Sequence, residues 1–149
     1  GKSDLEQSIP RKLRAWRVPR TRFVIVRDND GGDCRVLKQA LINLCHRGGR
    51  PDSLVRIACQ ELESWFLGDL AAVDASGIVR GSRFSRLQNN GKYGATDRLD
   101  NAKEEFRRLV PNCRPIGASL VIAPPLSFDN SRSMSFQVLL SGVMRFARE

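Results

Sequence analysis

The chain has one histidine, one tyrosine and two methionines among 149 residues, and its four cysteines never form a Cys-x-x-Cys pair. With His46 as the sole imidazole, Ser-His or Cys-His nucleophilic catalysis would rest on that residue alone. His46 directly follows Cys45 on a predicted helix, where consecutive side chains point apart, so it reads as a helix-end histidine. The scattered Cys34, Cys45, Cys59 and Cys113 lack zinc-ligand spacing and fit the reduced, buried thiols of a cytoplasmic protein. No run approaches the ~18 apolar residues of a membrane span, and no signal-peptide pattern is visible. No internal repeat is seen either. A membrane partner is therefore not expected.

Acids are also scarce. Sixteen Asp+Glu stand against 25 Lys+Arg, giving a formal charge of +9 and a pI near 10.3. This balance favours an anionic partner, of which nucleic acid is the commonest. Arginine dominates the basic set and suits bidentate phosphate contacts better than lysine does. From Arg11 to Arg27 seven basic residues, Arg11, Lys12, Arg14, Arg17, Arg20, Arg22 and Arg27, occur without one acid.

What remains is a one-domain length with 41% hydrophobic residues, enough for a real core. In "SDLEQSIPRKLRAWRVP", Ser3 with Glu6 predicts one helix start and Ser8 with Pro10 a second. Ile9, Leu13 and Trp16 form an apolar stripe, and Pro19 ends the segment. Phe23–Val26 predicts a short buried strand. Cys34–Cys45 predicts a helix with Val36, Leu37, Ala40, Leu41 and Leu44 inward, stopped by Gly48 and Gly49. Leu54–Ala58 is a second strand, followed by one apolar helix, "ELESWFLGDLAAV", with Trp65 and Phe66 in the core and Asp69 equally readable as a solvated residue before the next turn. Strand, helix, strand at this spacing implies a βαβ unit and a parallel sheet, whose exposed edge could pair in a homodimer. Residues 1–75 thus form a βαβ core. Residues 76–149 supply a basic, irregular loop over 76–94 and mainly helical structure. That part holds a helix near Ala102–Val110 with an Asn101 cap and a Glu104–Arg108 pair, a proline-broken "IAPPLSFDNSRS" connection, and a last helix over Ser135–Arg148 that buries Phe136, Leu139, Leu140, Val143 and Ala147.

One stretch cuts across the charge balance: "VIVRDNDGGD" gathers Asp28, Asp30 and Asp33 within six positions. Asp33 precedes a helix and fits an N-cap. Asp28 and Asp30 stand at the carboxyl end of a predicted strand, where open parallel sheets collect ligands. Positions i and i+2 of an extended segment share a face, with Asn29 turned away. Two such carboxylates repel unless a cation lies between them, and Mg²⁺ (or Mn²⁺) suits one or two carboxylates plus waters and a phosphate. Glu61 and Glu63 follow the second strand at the same end. The competing reading is plain turn chemistry, since Asp-Asn-Asp-Gly-Gly also makes a good turn.

"RFVIVRDNDGGDCRVLKQAL" with "VRIACQELESWFLGDLAAV" resembles an uncharacterised bacterial family of Toprim-like proteins, often encoded beside ATPases in anti-phage or mobile-element neighbourhoods. The opening "GKSDLEQSIPRKLRAW" and, more loosely, "NSRSMSF" extend the resemblance over most of the chain. It implies a Toprim-like parallel sheet flanked by helices and a Mg²⁺-dependent nuclease, the effector of an ATPase-linked defence system. Asp28 and Asp30 match the family's Asp-x-Asp, and Glu63 with Trp65 its Glu-x-Trp element. Asp28, Asp30 and Glu63 would be catalytic metal ligands, with Glu61 as a further ligand, and Arg27, Arg35 and Lys38 lie close enough in sequence to steer phosphate. The family's first glutamate lies on a strand upstream of the segment matching Gly1, so a truncated or incompletely equipped member is expected. "PIGASLVIAPPL" also lacks basic residues expected near Ser119 and Pro125. Two rival expectations follow: a non-catalytic partner subunit that regulates an ATPase, and a nucleic-acid-binding module without chemistry.

Overall fold

Two short strands carry the architecture: β1 (Val24–Asp28) and β2 (Leu54–Ala58) pair in parallel, from Val24 opposite Leu54 to Asp28 opposite Ala58. The computed structural model describes residues 2–148, with the side chains of 4–114 and 116–148. Helices α1 (Lys2–Ala15) and α2 (Cys34–Arg47) precede and connect the strands. After β2 come α3 (Glu63–Leu67), α4 (Leu70–Ala75), three 3-10 turns at Phe84–Leu87, Gly91–Tyr93 and Thr96–Arg98, then α5 (Ala102–Leu109), α6 (Pro115–Ile122) and α7 (Met134–Arg148). The expected parallel βαβ core and helical C-terminal part are therefore present, the sheet being two-stranded among the described residues. No described helix is long and apolar enough to cross a membrane.

A β-branched strand alternates its side chains, and each face of this small sheet finds a different cover. Val55 and Ile57 join Ile9 and Leu13 of α1 with Leu41 and Cys45 of α2 in one buried cluster. Ala58 packs on the other face with Trp65 and Phe136, and Val26 lies against them. A third and largest cluster lies among α3–α6, with Phe66, Leu67, Leu70, Tyr93, Phe106 and Ile122 at its centre.

Several expectations need correction. One helix, not two, runs through Pro10. Ser8 does not cap; its hydroxyl donates back to the Leu5 carbonyl at 3.0 Å. The ring at position 10 forfeits one N–H bond, but Ile9 and Leu13, both buried against α2, hold the helix together across it. Ser3's capping role falls outside the described side chains. Trp16 lies past the helix end, half-exposed, with its indole N–H on Thr21 Oγ1 at 2.8 Å. On α2 the inward stripe is Leu37, Leu41, Leu44 and Cys45, whereas Val36 and Ala40 point to solvent. A helix with apolar residues on two faces offers two stripes, and only contact with α1 and the sheet selects between them.

The apolar segment after β2 is broken at Gly68-Asp69 rather than continuous. A Cβ on Gly68 would lie 3.0 Å from the Ser133 backbone nitrogen, and the Gly68 carbonyl accepts from Arg132 N–H at 2.8 Å. The chain before α7 therefore presses directly on this break. Asp69 is not solvated but fully buried, accepting from Ala72 N–H and Ser127 N–H, each at 3.0 Å. Helix α6 has no counterpart in the expected elements, because "PIGASLVI" is apolar on every side: Ala118 and Ile122 are buried while Ile116 and Leu120 are exposed. On α7, Gly142 is buried in place of Ala147, which is exposed.

The charge pair on α5 also differs from expectation. Arg108 binds Glu105, at 2.7 Å, rather than Glu104. Glu105 is buried and gathers Lys92 at 2.6 Å and the Tyr93 hydroxyl as well. The Arg108 guanidinium, helped by Lys92 and Tyr93, holds the Glu105 carboxyl down from 4.5 to about 2. Burial, with Glu105 alongside, pushes the Tyr93 phenol up to about 12. A carboxyl depressed by folding stabilises the native state above its unfolded pKa and loses that contribution as pH falls through the folded value. Stability should therefore drop by on the order of 2 kcal/mol between pH 4.5 and 2 through this residue alone. Urea denaturation across that window should show a shallower decline for Glu105→Gln, from a lower starting stability at neutral pH.

Candidate functional site at the carboxyl end of the sheet

Both strands end on the same side, and the turns that follow them are tied together. Past the last ladder pair, Asn29 N–H donates to the Ala58 carbonyl at 3.2 Å and Asp30 N–H to the Gln60 carbonyl at 3.1 Å. The Asn29 side chain completes the tie: its Oδ1 accepts from Gln60 N–H and its Nδ2 donates to the Gly32 carbonyl at 2.8 Å. Asn29 is thus not turned away. Asp30 and Gln60 both adopt left-handed backbone, with φ of +47° and +63°, and Gly31 follows at +78°. Such values are uncommon for residues with a Cβ and persist where surrounding bonds dictate them.

This geometry decides where the candidate acids stand. Asp28 is half-buried at the end of β1, and its extended backbone stops at Asn29. Asp30 lies in the turn, exposed, so the alternation that would aim Asp28 and Asp30 the same way ends one residue too early. Asp33 accepts from Arg35 N–H at 2.7 Å and Val36 N–H at 3.0 Å, the N-cap expected of it. Those two backbone bonds, Val36 first, hold its carboxyl below the usual range. Glu61 Oε2 accepts from Lys103 N–H at 2.7 Å and so caps α5, a task assigned by sequence to Asn101, whose side chain makes no cap bond. Glu63 opens α3, half-buried, and its carboxylate has no hydrogen bond or ion pair among the described residues.

Mg²⁺ or Mn²⁺ would need several of these oxygens around one point. Among the described residues no group of three or more His, Cys, Asp and Glu side chains is arranged to hold a metal ion. With Asp30 in the turn and the Glu61 carboxylate bonded to the start of α5, the donor set does not fit a cation as it stands.

A polar knot lies beside this end of the sheet. Ser135 Oγ accepts from the Trp65 indole N–H at 2.8 Å and from Cys59 N–H at 3.3 Å. It donates to Asp97 Oδ1 at 3.1 Å, while Asp97 Oδ2 accepts from Ser135 N–H at 2.6 Å. Ser133 donates to Asp97 at 2.6 Å and accepts from Phe136 N–H at 3.2 Å, as an N-cap of α7. None of Asp97, Ser133 and Ser135 was singled out from sequence. "SMSF" ahead of an apolar periodic run was the available cap signal.

The basic candidates divide. Arg11, Lys12, Arg14, Arg17, Arg20, Arg22, Arg35 and Lys38 are exposed. Arg27 is not free, since its guanidinium is paired with Glu6 and half-buried. Arg22 lies over the Phe146 ring at 5.3 Å. Arg11 and Arg14 of α1 meet Arg47, at the end of α2, around an open groove of about 410 Å³. Arg47 was absent from the sequence-based set because only the packing of α1 on α2 brings it there. The chain matches no protein-family model, no curated protein and no solved structure.

Asn29→Ala removes both side-chain bonds that tie the turns and leaves Gln60 N–H without its acceptor. It should lower unfolding free energy by about 2 kcal/mol in urea titrations. Asn29→Asp, which keeps the acceptor, should cost clearly less.

Proposed function

We propose that this chain is a Toprim-like α/β domain that binds nucleic acid through the phosphate backbone. One observation carries the reading: Arg11, Arg14 and Arg47, from two different helices, converge on a single open groove. Guanidinium groups so placed match phosphate oxygens bidentately and carry no base readout, so binding is expected to be sequence-tolerant. Exposed Arg17, Arg20 and Arg22 extend the positive surface along the connection from α1 to β1. The formal charge of +9 supplies long-range attraction to a polyanion.

A second reading, Mg²⁺- or Mn²⁺-dependent phosphodiester cleavage, is favoured by Asp28 and Glu63. Asp28 is the last residue of β1 and Glu63 lies beyond the end of the adjacent parallel β2, and Glu63 keeps an unengaged carboxylate among the described residues. Cleavage requires Asp30 to leave its left-handed turn and join them. A role as the partner subunit of an ATPase rests on the sequence resemblance alone.

Fluorescence anisotropy with unrelated single-stranded and duplex oligonucleotides tests the first reading. Affinity should fall about 10³-fold or more between 50 and 200 mM salt if several phosphates are neutralised. Replacing Arg11, Arg14 and Arg47 by glutamate should weaken every sequence about equally. Absence of binding at low salt, or a triple variant that binds as the wild type does, would reject it.

Thermal melts with and without Mg²⁺ or Mn²⁺ test the second. A metal that binds only the folded chain raises Tm, and Asp30→Asn should erase that rise while leaving the metal-free Tm level or higher. A lower metal-free Tm would mark Asp30 as a turn residue only.

A further inference from the structure

Apart from the carboxylates and the basic groove, the chemistry left unassigned is a pair of thiols. Cys34 opens α2 directly after its Asp33 cap, and Cys59 directly follows the last residue of β2. They are 25 positions apart, yet their sulfurs stand 3.9 Å from each other, in van der Waals contact. Both are half-buried free cysteines, and both line a groove of about 300 Å³ together with Arg35, Lys38, Asp97 and Met134. Cys45, by contrast, is buried between α1, α2 and the sheet, and Cys113 lies against the C-terminal cluster. Core packing accounts for a buried thiol such as Cys45. It does not call for two sulfurs side by side on the wall of an open groove.

We propose that Cys34 and Cys59 form an oxidation site, a dithiol that a peroxide converts into a disulfide stapling the β1–α2 turn to the β2–α3 turn. The Cys34 thiolate attacks one peroxide oxygen, the O–O bond breaks, and Cys34 becomes a sulfenic acid. The released hydroxide takes the proton that Cys34 gave up and leaves as water. Cys59 then attacks the Cys34 sulfur; the S–O bond breaks as the S–S bond forms, and the departing hydroxide takes the Cys59 proton as a second water. Two electrons pass from the two sulfurs to the peroxide, so the step balances.

The order of attack follows from position. Cys34 opens α2, where the positive end of the helix dipole favours an anionic nucleophile, and Cys59 at the end of β2 acts second. Arg35 and Lys38 supply positive charge on the groove wall, where the attacking thiolate and displaced hydroxide are both anions. The sulfurs must close from 3.9 Å to about 2.05 Å, a shift that side-chain rotation and small turn movements can supply. The staple would clamp the turns that carry Asp28, Asp30 and Glu63, and it stands whether or not those carboxylates take a metal.

The test is a hydrogen peroxide titration of the fully reduced whole chain, read by intact mass, thiol titration, peptide mapping and thermal melting. Expected are a loss of about 2 Da, two of the four free thiols consumed, and a Cys34–Cys59 cross-linked peptide. Tm should rise by about 5 °C or more, because the cross-link restricts the unfolded chain. Dithiothreitol should reverse every change. Cys113→Ser should keep the whole response, while Cys34→Ser and Cys59→Ser should each lose it. Should either serine variant fail to fold, the wild-type peptide map decides alone. A different cysteine pair in the cross-link, gains of about 16 or 32 Da without one, or thiols that survive peroxide sufficient to oxidise glutathione would overturn the proposal.

Discussion

One hydroxyl holds the two halves of this molecule in register. Ser135 Oγ sits between the Trp65 indole, the backbone N–H of Cys59 and the Asp97 carboxylate, and so joins α3, the end of β2, a 3-10 turn and the start of α7. A two-stranded sheet cannot stand alone in water, because each of its faces needs an apolar cover. Helices α1 and α2 cover one face through contacts local in sequence. The other face depends on α7, which begins more than seventy residues beyond β2. The Ser135 knot is what fixes where that distant helix starts. Within a buried network every member must be satisfied, and here both Asp97 oxygens and the serine hydroxyl are engaged.

The same economy governs the acids. Glu6 is committed to Arg27, Glu105 to Lys92, Arg108 and Tyr93, and Asp97 to two serines. Asp33, Asp69 and Asp74 hold backbone N–H groups, Asp74 ordering the basic loop through Ser82, Phe84 and Ser85. Arginines are mostly left outside. Among the described residues Asp69 and Glu105 are the buried acids, while the exposed Arg11, Arg14 and Arg47 meet at the groove between α1 and α2.

The parallel βαβ core was legible because its signals are local: a β-branched run, a cap at Asp33, a helical stripe and a second run at the right distance. Trp65 and Phe66 in the core were legible for the same reason. What was not legible depends on partners remote in sequence. Val36 and Leu41 look alike on a helical wheel, and only α1 decides that Leu41 goes in. Arg47 joins Arg11 and Arg14 through the same contact. The break at Gly68-Asp69 follows from the pressure of Ser133, and α6 hides because its residues are apolar all round. For the acidic turn, the residue types were read but not the backbone, since the bridge from Asn29 to Gln60 lies across strands.

The hardest residues to read were the carboxylates, and helix length explains why. Every helix start leaves N–H groups without intrahelical partners, whatever the length of the helix. This fold divides its second half into many short pieces, so it has many such starts for its size. A carboxylate close to one gains a charge-assisted bond in place, whereas a metal site must hold several carboxylates together against their mutual repulsion. Glu61 illustrates the competition. Its spacing from Glu63 and its position after β2 suit a ligand, yet α5 begins within its reach and Lys103 N–H takes it. In a fold of short helices, acid-x-acid spacing is therefore weaker evidence for a metal than in one of long helices, because more helix starts compete for the same oxygens. Glu63 lacks such a bond among the described residues, so no neighbouring helix start has claimed its carboxylate.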